Sequence, residues 1–243
     1  MSDAKLSSQS APEIPAGDAN DPARDFAGSP AKQRRTKGRD KKDMAQQGPK
    51  KPRRVTRDYL MNYATWYLER FTASRARLEK LMRGKIRLSI AEYGTDPQEA
   101  EDWMKSVLNA CEKAGFINDE AYALGRARSM MRKGKALRVI GADLNARGIS
   151  SHLVDDTIVT LRSEADDAAR NNMRGTDPNR AAAAAYARRR RLGPFRRPDQ
   201  RDEKRDKDLA ALARQGFSYD IALRIIDADA DELEDLLQII DGL

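Results

Sequence analysis

Two stretches decide the fold: Leu144-Asn145-Ala146-Arg147-Gly148-Ile149-Ser150-Ser151-His152-Leu153 and Leu212-Ala213-Arg214-Gln215-Gly216-Phe217-Ser218-Tyr219-Asp220-Ile221. Leu144 matches Leu212, Gly148 matches Gly216, Ile149 matches Phe217 and Ser150 matches Ser218. The match runs on to Ile158 and Ile226, each fourteen residues after its leucine. The pattern has a mechanical reading. A helix buries a leucine in its last turn, and glycine takes the left-handed position just past its end. The next apolar residue folds back on that end, and serine caps the following helix. A tight helix–turn–helix hairpin is therefore used twice.

Working outward, the apolar residues keep helical spacing. Tyr59, Leu60, Tyr63, Trp66, Tyr67 and Phe71 predict a helix over 57–71. Ser74 caps a second, with Leu78, Leu81 and Met82 on one face, expected to end near Gly84. Asp96-Pro97 opens a third, with Trp103, Val107, Leu108 and Cys111 inward and Gly115 as its stop. Asn118 opens a helix that Gly134 closes, and Asp177-Pro178 opens another that runs to about 192. Ser74 to Gly84 reads as a weaker third hairpin whose turn is enlarged into a loop over 85–96, and 193–206 reads as an irregular linker. The expected fold is all-α: an elongated array of three tandem three-helix, helix-turn-helix-like repeats over 55–115, 116–170 and 171–229. A disordered basic tail over 1–54 precedes it and an acidic end over 230–243 follows.

Charge is distributed unevenly within a net of +8. Residues 31–57 carry twelve Lys/Arg against two acids, and 188–207 carry ten against four. Asp227 to Leu243 carries seven acids and no base. A basic protein of this kind suits an anionic partner, nucleic acid foremost. No apolar run reaches the ~18–20 residues of a membrane span, and the N-terminus lacks the apolar core of a secretory signal. One cysteine and one histidine leave no material for a disulfide, a zinc site or a Ser-His-Asp triad. No glycine-rich loop ends in Gly-Lys-Ser/Thr. Asp155-Asp156 and Asp166-Asp167 are sequence neighbours, so they point ~100° apart on a helix and make poor acid–base or metal pairs. No catalytic, cofactor or metal residue is expected, and the location expected is cytoplasmic.

The spacing resembles that of the RecX regulatory proteins, which modulate the RecA recombinase. The matching residues are Tyr67-Leu68-Glu69-Arg70-Phe71-Thr72-Ala73-Ser74 with Leu78 and Leu81, then Ala114 to Ala123, where Asn118-Asp119 stands for the family's two aspartates. Gly134, Ile140, Leu144 and Arg147-Gly148-Ile149 follow, then Ala187-Arg188-Arg189-Arg190 and Gln215-Gly216-Phe217-Ser218. The resemblance spans about 57–228, with 114–158 its most specific part. It implies a non-enzymatic protein that lies in the groove of the RecA–single-stranded DNA filament; a monomer without cofactor is expected. It would meet DNA mostly by way of the filament and lower RecA's ATPase, strand-exchange and coprotease activities.

Two basic groups are the candidate contacts. Arg126, Arg128, Arg132, Lys133, Lys135, Arg138 and Arg147 stand against one acid, Asp143, between 126 and 147. Arg188, Arg189, Arg190 and Arg191 form the second. Four consecutive arginines cannot share one helix face, so at least two should reach any one partner. The other reading is a stand-alone, non-specific helical DNA-binding protein. Against sequence-specific readout, the helices after Ser150 and Ser218 open with Ser151, His152, Leu153, Val154, Asp155 and with Tyr219, Asp220, Ile221, Ala222, which are poor base readers. Cys111, Trp66 and Trp103 read as core, and His152 as an ordinary surface histidine. The acidic end reads either as a mimic of nucleic-acid charge or as a frayed helix end.

Overall fold

The computed structural model describes residues 51–170 and 177–241. The expected disorder of residues 1–50 lies outside the described residues. Among those described there are ten α-helices and no strand: α1 (Arg57–Leu68), α2 (Arg75–Tyr93), α3 (Pro97–Lys113), α4 (Asp119–Arg132), α5 (Leu137–Ala146), α6 (Ser151–Arg170), α7 (Pro178–Arg190), α8 (Arg201–Arg214), α9 (Tyr219–Ile226) and α10 (Ala230–Asp241). They pack in triads, with α3 against α1 and α2, α4 and α5 against α6, and α7 and α8 against α9. Side chains of Thr56, Ser74, Asp96, Asn118, Ser150, Asp177 and Ser218 accept a main-chain amide of the first turn and fix where seven of the helices start. Each such cap contributes about 1 kcal/mol.

The quoted hairpins form as their sequences direct. Gly148 and Gly216 are left-handed, at φ 77° and 98°. Ile149 N–H donates to the Leu144 carbonyl at 3.2 Å and Phe217 N–H to that of Leu212 at 3.4 Å, while Ser150 and Ser218 cap α6 and α9. Both leucines are fully buried, and Ile149 and Phe217 nearly so.

The first triad corrects the reading of a helix stopped at Gly84. α2 runs on to Tyr93, because Ile86 and Ser89 extend the buried stripe of Leu78 and Met82. Gly84 meets open space, so it is tolerated mid-helix. The stop is Gly94, left-handed at φ 60°, followed by buried Thr95 and the capping Asp96. Gly94-Thr95-Asp96 thus joins α2 to α3 in a short turn, closed by the Gly94 N–H to Ile90 carbonyl bond at 3.0 Å rather than by the bond pair of the Gly148 turn, and the expected loop over 85–96 does not exist. Helix α1 also stops earlier than expected, at Leu68. The linker expected over 193–206 is only partly irregular: short 3-10 turns at Gly193–Phe195 and Pro198–Gln200 lead directly into α8. Residues 51–55, expected to be tail but for Val55, form a strap over the end of α2. Val55 N–H donates to Ser89 Oγ at 2.9 Å, and Tyr93 Oη donates to the Pro52 carbonyl at 2.5 Å. The acidic end is not frayed, since Leu233, Leu236, Leu237 and Ile240 are buried against the rest of the protein.

The joints between triads repeat one design. The first amide of α2, Arg75 N–H, donates to Asp119 Oδ1 in the first turn of α4 at 2.8 Å. The first amide of α5, Leu137 N–H, donates to Asn179 Oδ1 in the first turn of α7 at 2.9 Å. In each case the next triad also presents its second turn. Ser74 Oγ donates to the Arg147 carbonyl at 2.9 Å, and Ala136 N–H donates to the Gln215 carbonyl at 3.3 Å. A Cβ on Gly148 would collide with the Ala76 methyl, and one on Gly216 with Val139. Glycine is therefore needed at these turns for close approach as well as for backbone conformation. The joints differ in how much apolar surface they share. The second and third triads and α10 form one continuous buried cluster, with α7 at its centre. Ala181 to Ala185 and Ala187 of α7 are all buried, and such small side chains let neighbouring helices approach closely.

Candidate functional site

The structure divides the candidate cations. Arg126 forks onto Asp143, with Nη2 to Oδ1 at 2.9 Å and Nε on Oδ2. Arg147 donates Nε to the same carboxylate at 2.7 Å and Nη1 to Tyr122 Oη at 3.4 Å. These two guanidiniums, that of Arg126 foremost, hold the Asp143 carboxyl at about 2. Arg128 forks onto Glu164, with Nε to Oε2 at 3.1 Å. So Arg126, Arg128 and Arg147 already serve the packing of the second triad. Arg138 donates Nε to the Gly216 carbonyl at 2.5 Å and spans a joint, although its side chain is largely exposed.

The remaining cations of the middle segment come together with the arginine run. Arg189 Nη2 donates to the Lys133 carbonyl at 2.6 Å, and its guanidinium lies 5.6 Å from the Tyr186 ring centre. The α4–α5 turn can sit this close because Gly134 is left-handed and has no side chain. A Cβ there would lie 2.5 Å from Tyr186 Cβ and 2.9 Å from the Ala182 carbonyl oxygen. The turn carrying Arg132, Lys133 and Lys135 therefore rests on α7, whose last turn carries Arg188, Arg189 and Arg190. Arg191 follows directly. All of these are exposed except Lys135, which is half-buried. Neither 129–138 nor 186–198 contains an acid. Arg132, Lys133, Lys135, Arg190 and Arg191 make no ion pair among the described residues. The result is one surface of concentrated positive charge at the joint of the second and third triads.

Other candidates fall elsewhere. Cys111 is buried in α3, and burial pushes its thiol up. His152 is exposed and 2.8 Å from Asp156, one helical turn on. Trp66 and Trp103 are half-buried, and Arg70 stacks over the Trp66 ring at 5.0 Å. The first turn of α9 displays Tyr219 and Asp220, whereas that of α6 holds no acid and Asp155 and Asp156 are exposed one turn further on. Among the described residues, no three His, Cys, Asp or Glu side chains converge as a metal site would require, and no helix is long and apolar enough to cross a membrane. One buried ion pair had no sequence signal. Asp208, 2% exposed, accepts both the Arg196 fork and the Gly193 amide, and so fixes the 3-10 turn beneath the end of α7.

The chain is similar to known proteins of one family. The model of the RecX second three-helix domain matches residues 118–158, which run from the cap of α4 into α6. The regulatory protein RecX of Myxococcus xanthus is 36% identical over 193 residues, covering 79% of this chain and 96% of that one. The regulatory protein RecX of Agrobacterium fabrum is 30% identical over 121 residues, covering 50% of this chain and 57% of that one. The crystal structure of RecX from Lactobacillus salivarius aligns with 73% of this chain and 96% of its own, at 22% identity and a TM-score of 0.42. With the Myxococcus relative matched over nearly its whole length, this chain belongs to the RecX family of regulatory proteins.

Proposed function

We propose that this protein binds the RecA–single-stranded DNA filament and lowers RecA's recombinase, ATPase and coprotease activities, without catalysing a reaction itself. Membership of the RecX family supports the choice of RecA. The observation that carries the binding mode is the merging of two basic segments at one joint. Arg132, Lys133 and Lys135 on the α4–α5 turn meet Arg188 to Arg191 at the end of α7, locked by the Arg189–Lys133 bond. A dense cationic surface without acids gives affinity for phosphates and carboxylates and no base readout. A filament coated with DNA and acidic protein surface offers both. On this reading the protein acts in the cytoplasm as a monomer. It meets single-stranded DNA mainly through the filament, and its three triads face successive positions along it.

The alternative, a stand-alone non-specific DNA-binding protein, draws on the same cations. The acid in the first turn of α9, and the lack of any Arg, Asn or Gln in the first turns of both α6 and α9, count against sequence-specific readout by either hairpin. The two readings separate in one titration. RecA ATPase on pre-coated single-stranded DNA, with RecA from the same organism in excess over free DNA sites, is measured against added protein. Inhibition well below one molecule per RecA is expected. Inhibition only at amounts that coat the DNA itself would transfer the function to the DNA-binding reading.

A further inference from the structure

Arg191 is the one non-glycine residue with positive φ among the described residues, at φ 53° and ψ 56°. Its position is the left-handed one just past a helix end. The turn hydrogen bonds match those at Gly134, the corresponding turn of the second triad. Arg191 N–H donates to the Arg188 carbonyl at 3.2 Å and Leu192 N–H to Ala187 at 2.9 Å. At Gly134 the same two bonds run to Met131 at 2.8 Å and, from Lys135, to Met130 at 3.1 Å. The ends of α2, α3, α5 and α8 also use glycine in this role, at Gly94, Gly115, Gly148 and Gly216. An L-residue with a long side chain is disfavoured here, because its Cβ crowds the neighbouring carbonyl. Glycine is the residue that the turn itself selects.

Nothing in the fold calls for the arginine. Its side chain is exposed and makes no hydrogen bond or ion pair among the described residues. Its neighbour Arg189 already ties α7 to the α4–α5 turn. Strain kept at an exposed position with no internal partner points to an external one. The surroundings indicate its chemistry: 186–198 has six arginines and no acid, and the neighbouring Arg189 reaches the turn that carries Arg132, Lys133 and Lys135. This density of charge without polar variety suits a repeating phosphate backbone better than a protein surface, which would present cations as well as carboxylates.

We propose that Arg191 is a backbone-phosphate contact for single-stranded DNA, retained at a turn where glycine would be the more stable choice. This deepens the filament reading, since it names the ligand of the same surface. The experiment compares Arg191→Gly, Arg191→Lys and the unaltered protein in two measurements. Urea unfolding reads stability, and fluorescence anisotropy on a labelled oligo-dT at several salt concentrations reads DNA binding. The urea midpoint of Arg191→Gly is expected to equal or exceed that of the unaltered chain. Its plot of log affinity against log salt should be shallower by about 0.7, the value of one lost phosphate contact on a single strand. Arg191→Lys should keep the slope without the gain in midpoint. A lower midpoint for Arg191→Gly would make the arginine structural and overturn the proposal. So would an unchanged affinity and slope. Loss of RecA inhibition with oligo-dT binding intact would reassign Arg191 to protein carboxylates and overturn it as well. A chain that fails to inhibit RecA yet shows the Arg191-dependent slope would defeat the filament reading and leave this contact standing.

Discussion

Gly115 and Gly134 offer a matched pair for testing how closely α7 rests on the α4–α5 turn. Both are left-handed, at φ 76° and 69°. Alanine at either position meets the same backbone penalty, about 1–2 kcal/mol. Each also restricts the unfolded chain, an offset of about 0.4–1 kcal/mol common to both. The surroundings differ. Nothing lies within 4 Å of a Cβ on Gly115, whereas one on Gly134 would meet Tyr186 Cβ at 2.5 Å and the Ala182 carbonyl oxygen at 2.9 Å. Neither neighbour is the free end of a flexible side chain, so α7 itself must shift. Overpacking of that kind costs about 1–3 kcal/mol. Gly134→Ala should therefore be less stable than Gly115→Ala by about 1–3 kcal/mol in urea unfolding followed by far-ultraviolet circular dichroism. The shift of α7 should also break the Arg189–Lys133 bond and weaken RecA inhibition, which Gly115→Ala should spare. Equal destabilisation by the two substitutions, within about 0.5 kcal/mol, would show that the turn does not rest on α7 as described.

Three further outcomes are expected. Asp143 has its carboxyl held at about 2 by Arg126 and Arg147, below the usual carboxylate range. The pairing thus stabilises the fold above the unfolded value near pH 4 and is lost as pH falls towards 2, so the unaltered chain should lose about 1 kcal/mol more than Asp143→Asn between pH 5 and 2 after allowance for solvent screening; parallel acid-unfolding curves would contradict this. Asp208→Ala leaves the Gly193 amide without its acceptor and Arg196, which reaches solvent, without its partner, and should destabilise by about 1–3 kcal/mol, with Asp208→Asn milder; a urea midpoint near that of the unaltered chain would refute the buried pairing. Removal of residues 1–50, which spares the strap over α2, should weaken binding to free single-stranded DNA more than binding to RecA filaments, and equal loss in both would show that one surface serves the two.

What could be read in advance followed the range of the interactions. The Leu144 and Leu212 hairpins were legible because glycine, apolar residue and capping serine act within a few residues. Gly84 misled for a local reason too: glycine is a helix stop only where the chain turns, and here Ile86 and Ser89 carry the buried face onward. The start of α8 carried no apolar signal, since Arg201 to Lys207 are charged and the buried residues begin at Asp208 and Leu209. α10 was masked by its acids, although Leu233, Leu236, Leu237 and Ile240 keep helical spacing. Among the candidate contacts, the pairing of Arg147 with Asp143 lies one helical turn apart and could be read directly. The pairing of Arg126 with Asp143, of Arg128 with Glu164 and the reach of Arg189 to Lys133 depend on how helices cross. Residue counts alone could not separate cations held inside the fold from cations left outside it.

The repeated joint gives the molecule a direction. The first amide of α2 is satisfied by Asp119, and that of α5 by Asn179, so the first and second triads each draw a helix cap from the one that follows in the chain. A helix start without its cap partners is weakened. On the ribosome the middle triad therefore emerges before its cap exists, and its second helix closes only after α7 has been made. A fragment that ends before α7 should be the fragile one, whereas a fragment that begins at α4 keeps every cap the middle triad uses. Loss from the front removes a dependent, and loss from the back removes a support.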